Sequence, residues 1–272
     1  MWVFYSLGSG IFNALWTSQI KGKVQKEGAL PFTASIRWGV VLLLLPIALL
    51  KWSPVSLQWW TGTIFSGIFE SLSIWALSWG AKKDYYSSYA LSNLTPIFVF
   101  FLGYQFLNEK VNVTLGMGVA LVVVGALWLY YRGHWSWWGF SASVIGAFSS
   151  LSSKWVIGQA DPIQHACMSF LVGATFCTVL SLGGHPEKRI SRIAANIWTH
   201  RYLILGSALA TYCFYFALFL APLSRMSPLV RINMVVAFLL SVFHLKERHD
   251  WKGRGLGAIF ILLGILLVIW ER

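Results

Sequence analysis

The chain has 272 residues, of which 57% are hydrophobic and only 11% charged, and it carries a net charge of +12. So few charged residues cannot clothe a soluble domain of this length in a polar shell, and lipid is the solvent that fits. The basic residues are dispersed among short gaps between apolar segments, where they set membrane orientation, rather than gathered into a patch, so nucleic acid is not expected as a partner.

At roughly 20 apolar residues per crossing, the sequence predicts an all-α membrane protein of ten transmembrane helices. They span 2–20, 32–50, 57–80, 86–107, 112–131, 136–158, 163–182, 201–220, 224–244 and 255–270. The first begins at Trp2 with no small-residue cleavage site behind it, so it reads as a span rather than a signal peptide. Cys167, Cys177 and Cys213 all fall inside apolar segments, with neither a disulfide framework nor a zinc spacing. The longest gap, Gly183 to His200, is too short for a soluble catalytic domain, so the body is one membrane domain.

The two halves, 1–132 and 133–272, repeat one another. Gly116, Gly118 and Gly125 recur as Gly255, Gly257 and Gly264, and Gly67 recurs as Gly206. Leu107-Asn108-Glu109-Lys110 is echoed by Leu245-Lys246-Glu247-Arg248, and Lys23 and Pro31 by Lys154 and Pro162. Five helices per repeat is an odd number, so the halves are expected to cross the membrane in opposite orientation. A binding site is then expected between them near the midplane.

These features resemble the EamA-like family of the drug/metabolite transporter superfamily along the whole chain. The resemblance rests on Asn13-Ala14-Leu15-Trp16, on Pro31 and Arg37, on Thr95-Pro96 through Glu109-Lys110 and the glycine-spaced helix after it, and on the same order from Ser227-Pro228 onward. It implies a ten-helix carrier with a central cavity, alternating access, and peripheral fifth and tenth helices. One departure is visible: Pro228 lies 19 residues before Glu247, whereas Pro96 lies 13 before Glu109, so the ninth segment is expected to be built differently from the fourth.

Fourteen of the 21 Lys and Arg lie in odd-numbered gaps. The positive-inside rule then places those gaps in the cytoplasm and both termini outside, in the plasma membrane of a cell such as a bacterium (the inner membrane).

Ionisable residues inside spans are costly in lipid and usually face a cavity. Glu70, in the middle of the third segment, forms a small polar stripe with Gly62, Ser66 and Ser73, and reads as a cation or proton site. Arg231, a third of the way into the ninth, is within reach of Glu70 by depth, so a Glu70–Arg231 pair is feasible, with Arg231 a clamp for an acidic group, a latch, or half of a fixed structural pair. Arg37 is expected either to snorkel or to serve with Arg231 as a basic substrate or headgroup site, Lys154 to snorkel, His165 to be interfacial, and Glu109 and Glu247 to be interfacial structure. Trp16, Asn13, Trp75, Tyr212 and Tyr215 are placed to build an aromatic box for an ammonium group, with core packing as the equal alternative. Asn93 and Asn233, near Pro96 and Pro228, are cavity candidates, as is part of the serine-rich sixth segment. Trp52, Trp59, Trp60, Trp135, Trp137, Trp138, Trp251 and Trp270 read as the aromatic belt.

No nucleophile–base set, HExxH motif or Gly-rich phosphate loop is present, so an enzyme is not expected, and no cofactor or metal is called for. Two readings stand: a secondary carrier for a small amine-bearing solute, such as an amino acid or choline-like amine, driven by protons or a counter-substrate; or a flippase for a lipid or lipid-linked sugar. Membrane lipids are partners in both. The glycine spacings serve either internal packing or a homodimer.

Overall fold

The computed structural model describes residues 1–17, 27–131, 133–182, 186–243 and 251–271, with side chains for all of these except 16–17, 186–189 and 252. They form α1 (Trp2–Thr17), α2 (Ala29–Leu50), α3 (Leu57–Lys83), α4 (Tyr85–Ser92), α5 (Thr95–Leu107), α6 (Val113–Tyr130), α7 (Trp137–Val156), α8 (Pro162–Ser181), α9 (Pro186–Thr199), α10 (Arg201–Leu220), α11 (Leu223–Val230), α12 (Ile232–Phe243) and α13 (Trp251–Trp270). No strand occurs among the described residues. Helix starts are set by short polar side chains: Ser56 accepts from Trp59 N, Asn112 from Leu115 N, Ser136 from Gly139 N and Asp161 from Ile163 N.

Seven stretches among the described residues are long and apolar enough to cross a membrane. The three remaining predicted spans differ for visible reasons. α1 has 16 residues, α3 carries Glu70 among small polar residues, and α7 is rich in serine.

Two predicted spans are broken. The fourth parts at Asn93–Leu94 into α4 and α5, and the ninth parts at Arg231 into α11 and α12. At both breaks the backbone tightens to three-residue bonds, Asn93 N to Ala90 O at 3.1 Å and Arg231 N to Pro228 O at 3.1 Å. Their prolines differ in place, Pro96 opening α5 and Pro228 sitting inside α11 ahead of its break, so the expected difference in construction is real. The gap at 183–200 also holds a helix that hydropathy alone missed. α9 is amphipathic, with Ile193 buried and Ile197 packed on the core while Ile190 and Trp198 are exposed.

Packing follows a pseudo-twofold pattern. α1 lies on α10 as α3 lies on α7, and α1 meets α11 and α12 as α7 meets α4 and α5. α2 pairs with its counterpart α8, α5 with α11, and α6 with α13. The α6–α13 seam is made by the repeat glycines. A Cβ on Gly125 would stand 2.5 Å from Gly257 O, and one on Gly264 would stand 2.6 Å from Gly118 O. These glycines therefore serve internal packing.

Loop contacts define two ends of the bundle. At one, Gln164 holds Ser53, Gln159 meets Ser56, and Glu109 and Lys154 hold the α10–α11 corner. At the other, Glu27 meets Asn196 and His200, and Ser88 meets Ser136. Trp52, Trp135, Trp137, Trp251 and Trp270 are exposed at helix ends as a belt requires, but Trp59 is fully buried against Trp60 and His165.

Candidate functional site

Small residues open the slot in which the first charged group sits. Gly67 on α3 abuts Ser169 O of α8 with no room for a Cβ, and Gly173 on α8 abuts Ser71 Oγ and Arg37 Nη1 at 2.5 and 2.6 Å from where a Cβ would lie. α2, α3 and α8 approach closely there, and the Arg37 guanidinium occupies the joint. Arg37 is 1% exposed, lies 4.8 Å above the Phe170 ring, and pairs through Nη2 with Glu70 Oε1 at 3.5 Å. It does not snorkel, because Gly173 gives it a buried place beside a carboxylate. The Glu70 side chain is 29% exposed, so it is the accessible member of the pair.

The second charged group belongs to the helix breaks. Arg231 Nη1 donates to Asn93 Oδ1 at 2.8 Å, joining the break of one half to that of the other. Asn93 Nδ2 donates to Tyr89 O at 2.7 Å, and Asn233 Nδ2 donates to the Tyr89 hydroxyl at 3.3 Å. Gly10 of α1 abuts Val230 O and the Ile232 side chain, so α1 backs the break on its far side. The feasible Glu70–Arg231 pair is not made: Glu70 has Arg37 and Arg231 has Asn93.

Both groups line one central cavity of about 260 Å³. Glu70, Arg37, Arg231, Asn13, Asn93, Asn233 and Tyr215 all contribute to its wall, and Phe32, Ile74, Leu77, Phe170 and Phe214 supply an apolar side. Several buried polar atoms in this wall make no hydrogen bond: all three Arg37 guanidinium nitrogens, Glu70 Oε2, Arg231 Nε and Asn233 Oδ1. The lining comes from the first turns of α2, the second half of α3, both helix breaks, and the middle of α1, α7, α8 and α10. The cavity therefore sits near the middle of the bundle and, on the side of α2, α3 and α4, leans toward the end that holds Glu27 and His200.

The aromatic box does not assemble. Trp75 stacks edge-on with Trp138 and Tyr212 packs with Tyr5 and Phe216, neither lining the cavity, while the Trp16 side chain lies outside the described residues. Tyr215 is buried and its hydroxyl donates to Ser169 Oγ at 3.3 Å. His165 is buried rather than interfacial, with Nδ1 3.0 Å from Thr63 Oγ1 and its ring against Tyr215. The expected polar stripe on α3 divides: Glu70 and Ser73 reach the cavity, whereas Ser66 joins Ser153 and Ser169 in a buried hydroxyl cluster. Of the α7 serines, Ser149 and Ser150 line the cavity. Sequence reading missed Ser9, Thr33, Ser207 and Thr211, whose only signal is a small polar residue within an apolar helix.

Lys154 and Glu109 hold neighbouring backbone rather than the interface. Lys154 Nζ donates to Leu218 O and Ala221 O at 2.6 and 2.7 Å, and Glu109 accepts from Leu223 N and Ser224 N at 2.6 and 2.8 Å. Glu247 lies outside the described residues. At the pseudo-equivalent α3–α4 corner Asp84 caps its own helix, accepting from Ser87 N at 3.3 Å. Burial pushes the Asp84 carboxyl up, but its hydrogen bonds with Ser87 and Tyr86 and the charge of His134 outweigh this and hold it below its ordinary value.

A charge-lined cavity enclosed by two pseudo-equivalent halves of an apolar helical bundle defines a multi-pass membrane transporter. The model of the EamA-like transporter family matches twice, over residues 1–131 and 134–270, and the chain belongs to that family. No curated protein matches the chain in sequence. A solved structure titled "Crystal structure of protein" shares the fold, with a TM-score of 0.74 at 13% identity over 98% of this chain and 94% of its own.

Proposed function

We propose that the protein is a secondary active transporter that carries a small zwitterionic solute, an amino acid, through the central cavity by alternating access, driven by protons or a counter-substrate. The observation that carries this reading is the set of unbonded polar atoms in one wall: guanidinium N–H groups on Arg37 and Arg231, and a free carboxylate oxygen on Glu70. An acidic group satisfies the guanidiniums and an ammonium satisfies Glu70, so a molecule bearing both completes the site. A purely cationic amine would meet two guanidiniums and no aromatic box. The volume of about 260 Å³ is near the lower end of ligand pockets, roughly 300–1,000 Å³, which suits a small solute better than a lipid.

In this reading ten spans form two inverted five-helix repeats, with α4–α5 and α11–α12 as broken crossings, and the monomer holds the complete path. The charge bias puts the Glu27 end in the cytoplasm, so the cavity faces inward and both termini are outside.

The test is the melting temperature of the purified protein against amino acids, choline-like amines, sugars, nucleosides and phospholipids. A ligand at 100 times its Kd adds roughly 2.7 kcal/mol. Stabilisation by amino acids that Glu70→Gln removes is the expected result. Stabilisation by phospholipids alone would replace the carrier with the flippase.

A further inference from the structure

The α10–α11 corner is held from both sides by opposite charges. α10 ends at Leu220 and α11 begins at Leu223, leaving only Ala221 and Pro222 to turn the chain. The last carbonyls of a helix carry partial negative charge and the first N–H groups of the next carry partial positive charge. Lys154, from α7, donates to the Leu218 and Ala221 carbonyls, and Glu109, from the end of α5, spreads its two oxygens over the Leu223 and Ser224 amides. Each charge thus sits on the helix end of opposite sign, and each comes from an element other than the ones it joins.

The arrangement is built for this. Asn108 takes the left-handed conformation (φ 51°), ending α5 so that the next side chain turns inward, and Glu109 N bonds back to Gly103 O at 3.1 Å. A Cβ on Gly103 would stand 2.8 Å from Glu109 Oε2, so that glycine makes the room for the carboxylate. Ala221, Leu223 and Ser224 are buried beneath the clamp. By contrast, at the α3–α4 corner Lys83 is exposed and Asp84 caps only its own helix. The cavity is central, and on the side of α2, α3 and α4 its lining leans toward that second, self-capped end. One α-helix of eight residues, α11, connects the clamped corner to Arg231 in the cavity wall.

We infer that Glu109 and Lys154 are positioning residues forming a latch that closes the cavity at the α10–α11 end, so that opening to that side requires both to release the corner. Neither lines the central cavity; they act through the corner and through Arg231. The inference rests on the alternating-access reading but on no particular substrate.

The test is side-specific labelling. Ser150, in the cavity wall six residues before the end of α7, becomes the reporter as Ser150→Cys, in a full-length chain with Cys167, Cys177 and Cys213 changed to alanine. An impermeant thiol reagent is applied to sealed vesicles from either face. The expected result is reaction from the Glu27 end only, with Glu109→Ala or Lys154→Met raising the rate from the opposite end by about tenfold or more, the scale of one lost charge-assisted hydrogen bond. Melting temperature and the rate from the Glu27 end change little. Glu109→Gln, which keeps one acceptor and is the safer variant for folding, gives a smaller increase. Unchanged one-sided labelling in folded Glu109→Gln and Lys154→Met overturns the latch while leaving the carrier intact. A reporter inert from both faces overturns the carrier reading and the latch with it.

Discussion

The two helix breaks occupy equivalent places in the two halves, yet they carry different chemistry. The break at Asn93 satisfies itself: Asn93 Nδ2 bonds Tyr89 O, Ser92 Oγ bonds Tyr89 O and Thr95 Oγ1 bonds Ser92 O. The break at Arg231 places a guanidinium where the other has an amide, and Arg231 reaches across to Asn93 for its partner. The scaffold is nearly symmetric and the charges are not, since Arg37 and Glu70 both belong to the first half. In the proposed carrier, symmetry would serve the two alternating states and asymmetry would give the solute a defined orientation.

The comparison breaks most sharply if the second break is made to resemble the first. Arg231→Asn should lower transport by about a hundredfold, the scale of a lost buried contact to a charged group. Uptake into vesicles measures it, and an unchanged rate would mean that the charge difference between the breaks has no role. Asn93→Ala leaves the Arg231 charge but removes its acceptor, and should cost about tenfold. The scaffold's symmetry is tested by Gly125→Val and Gly257→Val, which crowd the α6–α13 seam from opposite halves. Each should cost about 1–3 kcal/mol and by similar amounts, seen as matching falls in melting temperature.

The smallest effect concerns the self-capped α3–α4 corner. The folded pKa of Asp84 is depressed, so its contribution to stability is present above the unfolded value and fades as pH falls through the lowered one. Asp84→Asn should flatten the acid side of a plot of melting temperature against pH: its small cost is full at neutral pH and vanishes below the lowered pKa. Glu109→Gln, at the clamped corner, should act mainly on side-specific access instead.

The helix positions and repeat were legible because lipid imposes a strong, simple requirement: about 20 apolar residues without a charge. The glycine repeat was legible for a similar reason, since backbone contact at Gly118, Gly125, Gly257 and Gly264 tolerates nothing larger. Glu70, Arg231, Asn93 and Asn233 were recognisable as cavity residues because buried charge and amide are rare in spans. Their pairing was not legible. Depth along a helix predicts which residues share a level, but the partner of Glu70 was decided by the slot that Gly173 leaves for Arg37, a contact between α2 and α8 that no spacing encodes. The aromatic box failed likewise, because the rotation of α3 turns Trp75 toward Trp138. α9 escaped notice because an amphipathic helix has low mean hydropathy while still burying one face.

The α6–α13 seam has a consequence for how the chain is held together. Backbone meets backbone there, with the glycines of each half leaving hollows that the other half enters, and this seam joins residues far apart in sequence. The covalent link near Gly133 is then dispensable once the halves have met. A protein severed at that point should travel through detergent purification as one particle, two fragments held in register by this seam together with the α1–α10, α2–α8 and α3–α7 contacts.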